Sequence, residues 1–232
     1  MALMLALVAC GSTPEPAADA TTGQLLEWAT EQAAEGALGE ATTGYRRVLQ
    51  RDSLEATALL GLAQIYKLQE RDGPADLYRR RAFHVHYAEG LAWAAKDVPD
   101  SALMALENAA RIMPLHPLAH LRLGELKMAA GQTASAIENF ERAVEANPRF
   151  AESLITLGQA YAASDRLTDA TAAFERAIDA NINALEAYLG LGRIFDGQQE
   201  WAAAADHFSK ALLINPQSEP ALRGLDRARA HL

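Results

Sequence analysis

Residues 117–150 read PLAHLRLGELKMAAGQTASAIENFERAVEANPRF, and the next 34 residues, AESLITLGQAYAASDRLTDATAAFERAIDANINA, lie over them without a gap. A third stretch, LEAYLGLGRIFDGQQEWAAAADHFSKALLINPQS, completes three consecutive units of 34 residues ending at Ser218. Self-similarity at a fixed period of this length marks a stacked repeat, in which no unit buries its apolar face alone. Leu123-Gly124, Leu157-Gly158 and Leu191-Gly192 recur at one place, followed by Ala136, Ala170 and Ala204. Phe140, Phe174 and Phe208 come next, then Ala143, Ala177 and Ala211. Two close-packed antiparallel helices require these types. Glycine admits the partner, alanine keeps the interhelix distance short, and the aromatic fills the space between layers. Gly131 and Gly197 suit left-handed C-caps, while Asn147-Pro148 and Asn215-Pro216 end second helices.

The pattern resembles the tetratricopeptide repeat (TPR) family, with Tyr161 and Phe195 in the aromatic place of the first helix and Pro148 and Pro216 closing their units. Lys127 and Ile182 depart from it. Carried upstream, the register gives residues 83–116 with Gly90, Trp93, Ala102, Ala109 and Pro114, and residues 22–55 with Leu25, Ala41, Tyr45 and a turn at Gly36. The unit between them, with Leu59, Leu62, Ala63, Tyr66, Ala75 and Ala82, spans only residues 56–82 and is seven residues short. No Gly or Pro occurs between Pro74 and Gly90, so a second helix and the following first helix are expected to fuse from Pro74 to about Lys96. Residues 219–232 read as a polar capping helix, with Ser218 as N-cap and Pro220 in the first turn. The resemblance implies an all-α, right-handed superhelical solenoid. It would have about six helix-turn-helix units, 22–55, 56–82, 83–116, 117–150, 151–184 and 185–218, plus the cap.

Half of the 232 residues are apolar and the net charge is −9, which repels phosphate backbones and argues against nucleic acid as a partner. Eight basic residues face five acidic ones between Arg46 and Arg81, net +3, leaving −12 for the remainder. Arg79, Arg80 and Arg81 fan around a helix and read as a solvated flank, with an anionic docking surface as the alternative. No nucleophile elbow, Walker loop, HExxH or dinucleotide fingerprint is present, so no enzymatic activity and no cofactor or metal site are expected. His84 and His86 point about 200° apart on a helix. His116 and His120 straddle Pro117 at a helix start.

The one cysteine, Cys10, ends an apolar run too short to cross a bilayer. Residues 7–11, LVACG, resemble the lipobox of bacterial lipoproteins. The resemblance implies that Cys10 is acylated and becomes the mature N-terminus, and Gly11, in place of aspartate, leans toward the outer membrane. Residues 1–9 contain no Lys or Arg and read as a truncated-looking signal, with the true start codon open. Residues 10–21 lack large apolar side chains and read as a flexible tether reaching at most about 40 Å.

TPR proteins are interaction scaffolds whose first helices line a concave groove. By that resemblance the groove residues are Thr57, Leu60, Gln64 and Lys67, then His84, Tyr87 and Leu91, then Leu118, Leu121, Glu125 and Met128. Glu152, Ile155 and Gln159 follow, then Glu186, Leu189, Arg193 and Asp196. No asparagine lies on a first helix, which disfavours clamping of a chaperone-type C-terminal carboxylate. The reading is a non-catalytic scaffold, lipid-anchored in the bacterial envelope and facing the periplasm. It holds a protein or peptide segment as a docking or assembly factor, in an arrangement that resembles TPR pilotin and accessory lipoproteins. Alternatives are a cytosolic TPR adaptor, or metal or haem handling, which needs His84, His86, His116 or His120 to converge.

Overall fold

The computed structural model describes residues 14–232 and places twelve helices and no strand among them. In chain order they are α1 (Thr22–Ala34), α2 (Leu38–Arg51), α3 (Ala56–Leu68), α4 (Asp72–Ala95), α5 (Pro99–Ile112), α6 (Pro117–Ala129), α7 (Thr133–Ala146), α8 (Ala151–Ala163), α9 (Leu167–Ala180), α10 (Leu185–Gly197), α11 (Trp201–Ile214) and α12 (Glu219–Arg229). α6 packs on α7, α8 on α9 and α10 on α11. A second set of contacts joins α6 to α8, α8 to α10 and α10 to α12, so first helices form one row and second helices the other. The fold is an all-α helical repeat solenoid, as the period implies.

All six turns from a first to a second helix are built alike. Gly36, Glu70, Asp97, Gly131, Asp165 and Gln199 hold left-handed backbone, with φ between 57° and 81°. The next amide in each turn bonds to the carbonyl five residues back, as in Ala37 to Gln32 at 2.9 Å, Val98 to Trp93 at 3.1 Å and Glu200 to Phe195 at 2.8 Å. These bonds satisfy carbonyls that the helix end would otherwise leave unpaired. The six residues are 34 apart, except Glu70 and Asp97, which are 27 apart. Gly197 is not the left-handed residue the sequence suggests. It closes α10, and Gln199 makes the turn. The two carbonyl bonds hold a side-chain-bearing residue there against a left-handed penalty of about 1–2 kcal/mol.

Phe140, Phe174 and Phe208 are among the largest fully buried side chains. A Cβ on Gly124 would lie 2.4 Å from the Phe140 ring, and one on Gly158 or Gly190 would lie 2.7 or 2.5 Å from opposite edges of Phe174. Gly192 and Gly224 hold Phe208 in the same way, at 2.6 and 2.4 Å. Glycine is therefore required for close approach, and each aromatic ties its own unit to the next.

α4 is one uninterrupted helix of 24 residues, about 36 Å long. Its Ala75 belongs to the core of α1–α3 with Leu62 and Tyr66, whereas Phe83 packs with Ala109 and Ala119 farther on. The seven missing residues amount to a four-residue turn plus about one helical turn. At the other end Ser218 takes extended N-cap geometry, but its hydroxyl makes no capping bond. The last helix relies on Pro220 and on buried Ala221, Leu225 and Ala228.

The described part of the expected tether, from residue 14 on, is not free. Arg47 donates to the Glu15 carboxylate at 2.7 Å and to the carbonyls of Pro16 and Ala17 at 3.2 and 3.1 Å. Arg51 donates to the carbonyl of Ala18 at 2.8 Å and to that of Ala20. A segment without a core of its own is thus held by its backbone. Cys10 lies outside the described residues.

The turn geometry predicts opposite effects at two equivalent sites. Gln199→Gly should stabilise by about 0.5–1 kcal/mol, because glycine adopts left-handed backbone without the steric penalty. Gly131→Ala should destabilise by about 1 kcal/mol. Urea midpoints at constant m-value provide the measurement.

Candidate functional site

The expected groove residues sort by how far the first-helix row covers them. Thr57, Gln64, Lys67, His84, Leu91, Glu152, Gln159, Glu186 and Arg193 are exposed. Leu60, Tyr87, Leu118, Glu125, Met128, Ile155 and Asp196 are half-buried. Leu121 and Leu189 are not groove residues, being 0% and 3% exposed. Both occupy the fifth place of a first helix, which turns into the packing between neighbouring units. Leu121 joins a core with Leu154 and Leu157, and Leu189 one with Tyr188 and Phe208. Leu60 in α3 and Ile155 in α8 stand at the same place and are half-buried, so the place alone does not fix burial.

Polar groups on this face largely neutralise one another. Arg122 makes two bonds to Glu125, at 2.7 and 2.8 Å, reaches Glu152 on the next first helix at 3.2 Å, and is bonded by Tyr87. Burial pulls the guanidinium pKa down, but these partners outweigh it and hold the charge more firmly than usual. Asp196 is taken by Arg227 of the capping helix at 2.5 Å, and Lys67 pairs with Asp72 at 2.7 Å. Among the described residues, Arg193 and Gln159 have no side-chain partner.

Two hollows open along the row. One of about 370 Å³ lies between α8 and α10 over α9, and includes Gln159 and Arg193. The other, of about 610 Å³, lies between α3 and α4 beside Leu60, Gln64 and Lys67. Arg79 borders the second hollow and stands in the place that Phe140, Phe174 and Phe208 hold in later units. The short unit therefore lacks the aromatic that closes such a space elsewhere.

The basic stretch is used largely for internal stitching. Arg46 bonds the Tyr66 hydroxyl at 2.6 Å, Arg79 pairs with Asp76 at 2.5 Å, and Arg81 donates to the Ser53 carbonyl at 2.8 Å. Arg80 remains exposed. The role of Arg81 was missed because a backbone carbonyl, an acceptor at every residue, leaves no mark in a sequence. The histidines also serve packing. His84 and His116 lie against Phe83, with ring centroids 5.3 and 4.1 Å away. His120 Nε2 donates to the Pro114 carbonyl at 2.8 Å, and His86 contacts Glu89 at 3.0 Å. Among the described residues no three His, Cys, Asp or Glu side chains gather as metal ligands.

The family model described as tetratricopeptide repeat matches residues 121–184 and 155–219. No curated protein matches the sequence. Among solved structures, the chain is similar to PilW, a widely conserved type IV pilus biogenesis factor, with 19% identity, coverage of 88% of this chain and 98% of that one, and a TM-score of 0.55. It is also similar to PilF of Pseudomonas aeruginosa, with 16% identity, coverage of 91% and 97%, and a TM-score of 0.53. YrrB, a TPR protein with an unusual peptide-binding site, shares 20% identity over 89% of this chain and 92% of its own, with a TM-score of 0.52. At these identities the likeness is one of fold.

Burial pushes the His116 and His207 pKa values below the ordinary 6.5, and His207 stacks on Phe195 with ring centroids 5.3 Å apart. The folded state then binds fewer protons at these two groups than the unfolded chain does, so their contribution does not vary with pH well above 6.5 and lowers stability as pH drops through and below it. His207→Phe should flatten that decline between pH 6.5 and 5. Thermal melts of both proteins across the interval measure it.

Proposed function

We propose that the protein is a non-catalytic scaffold that holds a segment of another protein along its first-helix row. The observation that carries this reading is the row itself: Leu118, Met128 and Ile155 stay half-exposed among paired charges, and no other described part of the chain is packed over them. An apolar strip with a polar rim suits capture of an amphipathic helix or an extended segment, and Met128 adapts to either. YrrB, of like fold, has a peptide-binding site, which supports a peptide partner here.

The second part of the proposal is location. Cys10 in LVACG is read as the acylated residue of a lipoprotein that faces the periplasm from the outer membrane and helps assemble or dock an envelope complex. The lipobox motif supports this. So does the likeness of fold to a pilus biogenesis factor. More than one acyl chain is needed for stable anchoring, which modification at such a cysteine supplies.

Two measurements test the two parts separately. In bacteria fed a fatty-acid analogue, wild type should be labelled and Cys10→Ser should not, the variant persisting as an uncleaved precursor. Equal labelling, or none in either, removes the anchor. Met128→Glu with Ile155→Glu alters half-exposed positions and should leave helicity and melting near wild type while abolishing capture of the partner from membranes. Leu121→Glu is unsuitable as a probe, because charge at that buried site acts on folding. Unchanged capture by the double variant moves the binding surface off the first-helix row.

A further inference from the structure

We infer that the hollow between α8 and α10 is a specificity pocket, seating a bulky apolar side chain of a partner segment whose neighbouring Asp or Glu pairs with Arg193. This rests on the first-helix row being the partner-binding surface. The pocket, about 370 Å³, has Leu167 and Phe174 of α9 as its floor, Ala162 and Ile194 as walls, and Gln159 and Arg193 at its edge. Its volume lies at the low end of the roughly 300–1,000 Å³ of small-molecule sites, enough for one or two side chains.

One position of α10 differs from the two units before it. The sixth residue of the first helix is Arg122 in α6 and Thr156 in α8, but Gly190 in α10. Gly190 lets the α10 backbone lie directly against an edge of the buried Phe174 ring, where a Cβ would come within 2.5 Å, and adds no side chain of its own to the pocket it borders.

Charge gives the second half of the occupant. Arg122 is committed to Glu125 and Glu152, and Arg227 to Asp196, whereas Arg193 is exposed and makes no ion pair or hydrogen bond among the described residues. A planar guanidinium beside the Gln159 amide presents donors that match a carboxylate, and pairing there displaces no existing bond. Acidic side chains, not basic ones, complement this edge. The source is an internal Asp or Glu, because a single guanidinium marks the site and the row continues past it on both sides, toward Ile155 and toward α12.

Parallel selections of random 12-residue peptide libraries, one with amidated and one with free C-termini, against the full chain and against Arg193→Glu, test the inference. Peptides enriched by the native protein should carry Leu, Ile, Met or Phe within two residues of an Asp or Glu. Arg193→Glu should weaken those peptides at least about tenfold, as expected on replacing a charge pair by like-charge repulsion. Ala162→Met, which narrows the pocket without touching the charge, should weaken them as well. Enrichment that survives Arg193→Glu, or that is independent of acidic residues, overturns the pocket assignment while leaving the scaffold reading in place. Binding only of peptides with a free C-terminal carboxylate overturns the internal acid. No enrichment by the native protein overturns both this inference and the proposed binding face.

Discussion

The structure depends on a ring pressed against a backbone. Phe174 is held between Gly158 of its own unit and Gly190 of the next, and Phe208 between Gly192 and Gly224, each at a distance that admits no Cβ. One buried side chain therefore serves two units, and the stability of a unit is inseparable from its neighbour's. That is the physical basis of nearest-neighbour coupling in a solenoid. Loss of such a ring leaves a cavity as well as lost burial, typically about 3–5 kcal/mol for Phe→Ala.

Where the ring is absent, the chain uses a different joint. Arg79 occupies the aromatic place of the short unit, so that unit has no key to set into the next. α4 supplies a covalent link instead: its N-terminal half belongs to one core and its C-terminal half to another. A continuous helix fixes the angle between two sub-arrays by its own stiffness, independently of interlocking side chains. It also leaves α3 without a covering first helix, which is why a hollow opens beside Leu60 and Lys67. Removal of a turn and creation of a hollow are thus one event read at two levels.

What was legible in the sequence was what the backbone contacts dictate. Gly124, Gly158 and Gly192 recur because phenylalanine rings touch them, and Ala136, Ala170 and Ala204 recur because helices cross there. The 27-residue spacing between Glu70 and Asp97 preserves the seven-residue deficit seen in the sequence. The left-handed turns were legible only at Gly36 and Gly131. Glu70, Asp97, Asp165 and Gln199 take the same conformation because carbonyl bonds impose it, whatever the side chain. Leu121 and Leu189 were misplaced for another reason. Exposure at the fifth position differs from unit to unit, buried at Leu121 and Leu189 but half-buried at Leu60 and Ile155, and periodicity within one unit does not contain that difference. The arginine clamp on residues 15–20 was hidden because its acceptors are mostly backbone carbonyls.

The same distinction governs what the first-helix row can recognise. A charge already paired within the scaffold offers a ligand little, since new pairing must offset loss of the old one along with the desolvation of both. Arg122 is in that position: its bonds to Glu125, Glu152 and Tyr87 shape the row and rigidify it, but leave little charge to answer a partner. The net charge of −9 adds a general repulsion toward acidic partners that acts at long range and weakens with salt. Selectivity must therefore reside in the few places where the scaffold leaves a group unmatched next to apolar surface, where a local pairing in partly desolvated surroundings outweighs a screened distant field. The hollow bordered by Gly190 is such a place, with apolar walls from Ala162, Leu167 and Ile194 and the unpaired Arg193 at its edge. A repeating frame thus confines recognition to the few side chains it leaves unpaired, because the frame on either side already holds the surface rigid.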